Sequence, residues 1–265
     1  MENIDERRIT YKKNVLDRVI CQLRFRPILK IETTIPAEFQ EKIRKKFPIY
    51  RDKSEFKIQV DSKEIDIIPS EIVEKIGKSP MYKNHEFSTE SGDWAINLTR
   101  HFIALSTKSY TSWDNFQHQL FKIVEYLIDI YDISEFTRLG LRYINIIQRT
   151  LFNLENVEWD KLLNKELLGL MSTQDYGEMV TSFESKFNIN LEDGQSNLRV
   201  ITQLVEEVDS REKCVKIDND IYSVDKYSYE DINEKLLFFN EVGTNFFFWC
   251  ISERLHKAME PEFHE

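Results

Sequence analysis

The longest unbroken apolar run in the chain is Phe-Phe-Phe-Trp-Cys-Ile at positions 246–251, inside a segment that we predict to be one helix over residues 228–259. At about 100° per residue, the apolar positions that follow Ile232 form a normal core stripe. Phe238, Phe248 and Trp249 lie away from that stripe, so the helix needs cover on two sides. Two interpretations stay open. In the first, the helix lies between a sheet and a second helix. In the second, these three residues form an interface with another copy or another protein.

Composition narrows the class of protein. With 265 residues, 41% hydrophobic and 12% aromatic, the chain can bury a substantial core. The net charge of −10 argues against non-specific binding to duplex nucleic acid, although it leaves room for a local basic groove. The first residues lack the apolar core of a signal peptide, and no apolar run is long enough to span a membrane. Cys21, Cys214 and Cys250 stand apart among apolar neighbours, which predicts reduced, buried thiols in a cytoplasmic protein.

Strands and helices are predicted from hydrophobic periodicity. Alternation of apolar and polar residues predicts strands over residues 15–26, 54–60, 82–90, 94–106, 135–148, 178–191, 197–208 and 214–225. A helical stripe follows Pro36 and ends at Pro48, and Ser112 is placed to cap a strong helix that runs to Tyr131. A further helix is predicted over residues 159–170. Breaks that contain Gly92 and Gly194 predict hairpin turns.

The order of these elements repeats. Strand, helix, three strands and helix occur twice, and short matches such as Gln22–Phe25 with Gly140–Tyr143 share an offset near 118 residues. We therefore predict an internally duplicated α+β protein, with pseudo-repeats over residues 1–134 and 135–265 in one compact domain. The two halves would form one large, twisted, mostly antiparallel sheet with helices on one face. That arrangement is similar in topology to a TATA-binding-protein-like or helix-grip-like saddle.

The duplication indicates a candidate binding face. Arg24 and Arg142 occupy matching positions and alternate away from the apolar sides of their strands. The predicted ligand-binding set on this open side consists of Arg24, Arg26, Arg138, Arg142, His101 and Arg199. Guanidinium groups there would suit a phosphate, a nucleotide, a nucleic-acid backbone or a carboxylate-bearing partner. The alternative is a solvated face on which these arginines pair with Glu184 and other acids.

The sequence contains no strong pattern of metal-binding or catalytic residues, so we expect no cofactor, no metal and no catalytic residue. The histidines lack metal-ligand spacing, and there is no glycine-rich phosphate loop, nucleophile elbow or CxxC pair. Asp218 and Asp220 form the tightest acidic cluster, which leaves a metal-dependent nuclease or nucleotide hydrolase as the alternative function. A third option is an acidic mimic of nucleic acid, favoured by the net charge alone.

Three motifs give the chain a resemblance to a known family. These are Val-Ile-Cys-Gln-Leu-Arg-Phe at 19–25, Tyr-Thr-Ser-Trp-Asp-Asn-Phe at 110–116 and Arg-Leu-Gly-Leu-Arg-Tyr-Ile-Asn at 138–145. Together they resemble an uncharacterised, sporadically distributed prokaryotic family of similar length. The resemblance implies a mobile or anti-phage defence setting and supplies no activity. The sequence thus predicts a non-catalytic binding or assembly component that takes an anionic ligand or protein partner on its arginine-bearing face, and that forms a homo-oligomer or binds a protein through its last helix.

Overall fold

The computed structural model describes residues 9–53 and 83–263. The predicted strand at 54–60 lies outside these residues. Within them, nine strands form one large sheet in the order β3-β4-β5-β6-β2-β7-β10-β9-β8, and β1 and β11 form a separate pair. The strands are β1 Ile9–Tyr11, β2 Leu16–Phe25, β3 Ile49–Asp52, β4 His85–Ser88, β5 Trp94–Leu98, β6 Phe102–Thr107, β7 Phe136–Ile147, β8 Glu184–Asn190, β9 Ser196–Glu206, β10 Lys213–Ser223 and β11 Pro261–Phe263.

Helices accompany the sheet, which makes the protein α+β as predicted. They are α1 Leu29–Thr33, α2 Ala37–Ile43, α3 Trp113–Tyr131, α4 Tyr229–Cys250 and α5 Glu253–Ala258. The predicted cap of α3 is confirmed, since the Ser112 side chain accepts a hydrogen bond from the backbone N–H of Asn115. No helix of residues 9–53 and 83–263 is both long and apolar enough to cross a membrane.

The chain divides into two compact units whose boundaries cross the predicted repeat boundary. The first unit comprises Met1–Val19, Gly140–Val224 and Asp231–Glu265, and the second comprises Ile20–Leu139 and Asp225–Glu230. The strand order follows β2-β6-β5-β4 from one central strand and β7-β10-β9-β8 from the other. The duplication itself, with its two pseudo-repeats, stays a prediction.

In the first unit, α4 packs against the sheet at a glycine. A Cβ added to Gly243 would stand 2.7 Å from Cε2 of Tyr143 and 3.3 Å from Cδ1 of Ile221. The Tyr143 hydroxyl donates a hydrogen bond of 2.8 Å to Oδ1 of Asn240, one helical turn before that glycine. The absence of a side chain at Gly243 therefore lets the helix backbone approach β7 and β10 closely.

Four predicted elements were wrong in detail. The strand predicted over residues 178–191 begins only at Glu184, because a 3-10 turn over Gly177–Met179 precedes it. Residues 94–106 form two antiparallel strands, because the Thr99 hydroxyl accepts the backbone N–H groups of His101 and Phe102 and turns the chain between them. Residues 159–170 form short 3-10 turns rather than a helix, and Gly169 there has a φ of +53°. The last helix ends at Cys250, because Ile251 bridges to Leu163 and Ser252 then caps α5.

The pair β1–β11 was not predicted. It is antiparallel, with Ile9 opposite Phe263 and Tyr11 opposite Pro261. The Tyr11 hydroxyl lies 2.8 Å from Nδ1 of His256 on α5, and the two rings meet edge to face. The first and last described segments of the chain are thus held side by side.

Candidate functional site

The predicted arginines of the first unit are buried and engaged. On β7, Nε of Arg142 donates a hydrogen bond of 2.7 Å to Oδ1 of Asp218 on β10, and Nη2 of the same guanidinium donates to Oδ2. Both residues are buried. The expectation that Arg142 stands on an open side of the sheet was therefore wrong, because a carboxylate on the neighbouring strand meets its guanidinium inside the protein.

Arg199 on β9 is also buried rather than open to solvent. It stands directly opposite Asp220 in the β9–β10 register, and its Nε donates a hydrogen bond of 3.4 Å to Oδ1 of Asn188 on β8. Its guanidinium carbon lies 6.0 Å from the centre of the Tyr222 ring. Arg199 thus belongs to a polar row that crosses three strands of this unit.

In the second unit, two predicted arginines share one acceptor. Oε1 of Gln22 accepts a hydrogen bond of 3.2 Å from Nε of Arg24 and another of 3.2 Å from Nη1 of Arg138. Arg138 is buried, whereas Arg24 is half-buried. The carboxamide of Gln22 thus holds both guanidinium groups against one side-chain oxygen.

His101 lies close to the same charges. Its Nε2 accepts a hydrogen bond of 2.9 Å from Nε of Arg100, which places the proton of the neutral ring on Nδ1. Partial burial lowers the pKa of His101, and the positive charges of Arg100 and Arg24 lower that pKa further, against a smaller opposing effect of Glu32. Burial is the largest of these causes, and among the three charges each arginine has a larger effect on the imidazole than Glu32. We refer to Gln22, Arg24, Arg100, His101 and Arg138 as the arginine cluster.

Arg26 is not part of this cluster. Its side chain is mostly exposed, and its Nη2 lies 2.7 Å from Oε1 of Glu135. The structure therefore brings Arg24, Arg138 and His101 together, leaves Arg26 at the surface, and places Arg142 and Arg199 in the other unit with partners of their own.

Sequence reasoning missed Gln22 and Arg100. Gln22 alternates onto the same side of β2 as Arg24, so the side of the strand on which it lies was predictable. Its role as a shared acceptor was not, because Arg138 comes from a strand far away in the sequence. Arg100 lies in the turn that the sequence analysis placed inside a continuous strand.

The carboxylates of the alternative enzyme are not arranged as metal ligands. Both oxygens of Asp218 are used by Arg142. Residues 9–53 and 83–263 hold no group of three or more His, Cys, Asp or Glu side chains that could bind a metal ion. No specific observation favours a nuclease over a binding protein.

The outer side of α4 carries the predicted interface residues. Trp249 is 49% exposed, and its ring lies tilted against that of Phe246 with ring centres 5.5 Å apart. Leu237 is 42% exposed, and Phe238 and Phe248 are half-buried. The helix thus presents apolar surface to solvent along several turns.

No protein-family model matches this chain, and no curated protein matches it in sequence.

Proposed function

We propose that this protein is a non-catalytic binding component that takes a small anion at the arginine cluster and assembles with a second copy of itself through α4. The observation that carries the first half is the hydrogen bonding of Gln22, whose single oxygen accepts from Arg24 and Arg138. Two guanidinium groups are thereby held close together on one carboxamide oxygen, and neighbouring guanidinium groups are suited to binding a phosphate or a carboxylate.

The potential at His101 supports the same conclusion. Partial burial lowers the pKa of His101 most, and the charges of Arg100 and Arg24 each lower that pKa by more than Glu32 raises it. An anion bound between these groups would replace unfavourable positive–positive interactions with favourable ones. We therefore expect the site to prefer ligands with at least one full negative charge.

The second half of the proposal is supported by the exposed aromatic side of α4. In an antiparallel pair of these helices, Trp249 of one copy meets the Leu237 end of the other. Glu234 near the start of the helix would then approach Arg254 beyond the end of its symmetry mate. Neither residue forms an ion pair with another described residue, so both charges are available for this contact.

The biological setting follows from the resemblance alone. A sporadic distribution among prokaryotes is typical of mobile genes, so we propose a role in a mobile or anti-phage defence system. The three free, buried cysteines fit a reducing cytoplasm.

Titration calorimetry with inorganic pyrophosphate tests the anion site. Gln22→Glu places a carboxylate between the two guanidinium groups, and we expect it to weaken pyrophosphate binding about tenfold or more, as loss of a charged hydrogen bond implies. Arg51→Gln is the matched control, because Arg51 is an exposed cation of the same unit that pairs with Glu86. Equal affinity of wild type and Gln22→Glu, or no binding by wild type, would remove the proposal.

A further inference from the structure

Three lysines gather where α2 packs against α3 in the second unit. Lys42 lies in α2 and Lys46 follows one turn later, beyond the last residue of that helix. Lys122 lies on α3 close enough for its charge to lower the pKa of Lys46. All three residues are exposed. We refer to them as the lysine cluster.

Aromatic rings, rather than carboxylates, support two of these ammonium groups. Nζ of Lys46 lies 5.3 Å from the centre of the Trp94 ring, and Nζ of Lys42 lies 5.8 Å from that of Tyr126. A ring attracts a cation without cancelling its charge. Within the part of the chain that the structure describes, no ion pair engages Lys42, Lys46 or Lys122.

Neighbouring cations of the same surface are paired in the ordinary way. Lys30 lies 3.5 Å from a carboxylate oxygen of Glu38, and Arg44 lies 2.9 Å from one of Glu41. The lysine cluster is therefore a local concentration of uncompensated positive charge on a protein whose net charge is −10.

The electrostatics of Lys46 agree with this geometry. Partial burial lowers its pKa, and the like charge of Lys122 lowers that pKa further. Both causes disfavour the charged ammonium group. A bound anion would relieve the repulsion between the two lysines, so the cluster gains more from an anionic ligand than isolated surface lysines do.

We propose that the lysine cluster binds a single strand of nucleic acid through its phosphates, beside the rings of Trp94 and Tyr126. Lys42 and Lys122 belong to two different helices, and Lys46 lies in the turn that follows α2. That spread suits successive charges along a chain better than one compact anion. Basic side chains interleaved with aromatic rings are the usual means of holding a single strand. The acidic remainder of the protein disfavours the longer contact that a duplex would require.

The lysine cluster shares no residue with the arginine cluster or with α4, so a failure of this proposal is distinguishable from a failure of the proposed function. Fluorescence anisotropy with a labelled 12-nucleotide oligouridylate and the matching oligothymidylate tests it. Three phosphate contacts predict a slope of about −2 in log K against log salt for a single strand, or about a twentyfold loss of affinity between 50 and 200 mM salt. Binding of either oligonucleotide with this slope supports the proposal, and the difference between them measures recognition of the sugar.

The decisive variant is Lys42→Gln, Lys46→Gln and Lys122→Gln together. We expect it to raise the Kd at 50 mM salt about tenfold or more and to flatten the salt dependence. Lys165→Gln, Lys186→Gln and Lys213→Gln together make the same change in net charge at exposed positions of the first unit and should leave binding unchanged. Thermal melting of both variants checks that each is folded.

Three results would overturn the proposal. The first is that the wild type does not bind either oligonucleotide at 50 mM salt. The second is that the control variant loses as much affinity as the cluster variant. The third is that a 12-residue polyglutamate competes as well as the oligonucleotide, because the surface would then recognise acidic chains in general.

Discussion

Arg142 and Asp218 form a two-point ion pair between β7 and β10, with both residues buried in the first unit. The planar guanidinium matches the two carboxylate oxygens, so each charge is compensated where solvent cannot reach it. We therefore expect the pair to fix the register of β7 against β10 and not to serve as a reactive site.

Breaking this pair from one side should be costly. Arg142→Met leaves the Asp218 carboxylate buried and unpaired, and we expect the free energy of unfolding to fall by about 3–5 kcal/mol. The double variant Arg142→Met, Asp218→Leu should lose much less, because no isolated charge remains. Urea unfolding followed by circular dichroism measures the wild type, the single variants Arg142→Met and Asp218→Leu, and the double variant. A double variant that loses the sum of the two single effects would contradict this account.

Gly243→Ala tests the contact between α4 and the sheet. The new methyl group would stand 2.7 Å from a ring atom of Tyr143, whose hydroxyl is held by Asn240. Overpacking of this kind costs about 1–3 kcal/mol. That cost is at least as large as the roughly 1 kcal/mol by which alanine is favoured over glycine in a helix. We expect a lower melting temperature, and Thr244→Ala serves as the control. If Gly243→Ala raised the melting temperature, the close approach would be wrong.

His101 should make stability depend on pH. Its pKa in the folded protein lies below the ordinary value of 6.5, because of partial burial and then the charges of Arg100 and Arg24. The unfolded chain therefore binds more protons in this range, so stability is highest above pH 6.5 and falls as the pH drops through the folded pKa. Proton NMR of the imidazole should show a midpoint below 6.5 that rises when pyrophosphate binds. A midpoint at or above 6.5 without ligand would contradict the positive potential.

Self-association through α4 predicts a mass that depends on concentration. Light scattering should show dimers at high concentration, and Trp249→Glu should shift the protein to monomer because a charge enters the apolar contact. Leu151→Glu is the control, since Leu151 is 53% exposed in the same unit but lies outside α4. A wild type that stays monomeric at all concentrations would contradict the pairing of two copies.

Elements with a strict local pattern were predictable from the sequence. The alternation of apolar and polar residues predicted the ends of β2 and β7 to within about one residue, and Ser112 correctly predicted the start of α3. Elements that depend on distant contacts were not predictable. The end of α4 is set by pairing between Ile251 and Leu163, nearly ninety positions earlier in the sequence, which no helical periodicity contains.

The candidate site followed the same rule. Alternation identified the side of β2 that carries Arg24, and the second unit does place Arg24, Arg138 and His101 around common neighbours. Burial could not be inferred, because an arginine on the polar side of a strand has the same pattern whether it faces solvent or, like Arg142, a buried carboxylate. In the lysine cluster, Lys42 and Lys46 are close in sequence, but the third member, Lys122, comes from another element that the sequence pattern does not connect to them.

Pairing of β1 with β11 has a practical consequence for protein engineering. Because Ile9 and Phe263 are opposite each other in that ladder, a short glycine-rich linker could join the two segments covalently. New termini could then be opened in the exposed turn at Gly194, between β8 and β9, to give a circular permutant with the same fold. Fluorophores attached near β1 and β11 would likewise report fraying of this ladder before the main sheet unfolds.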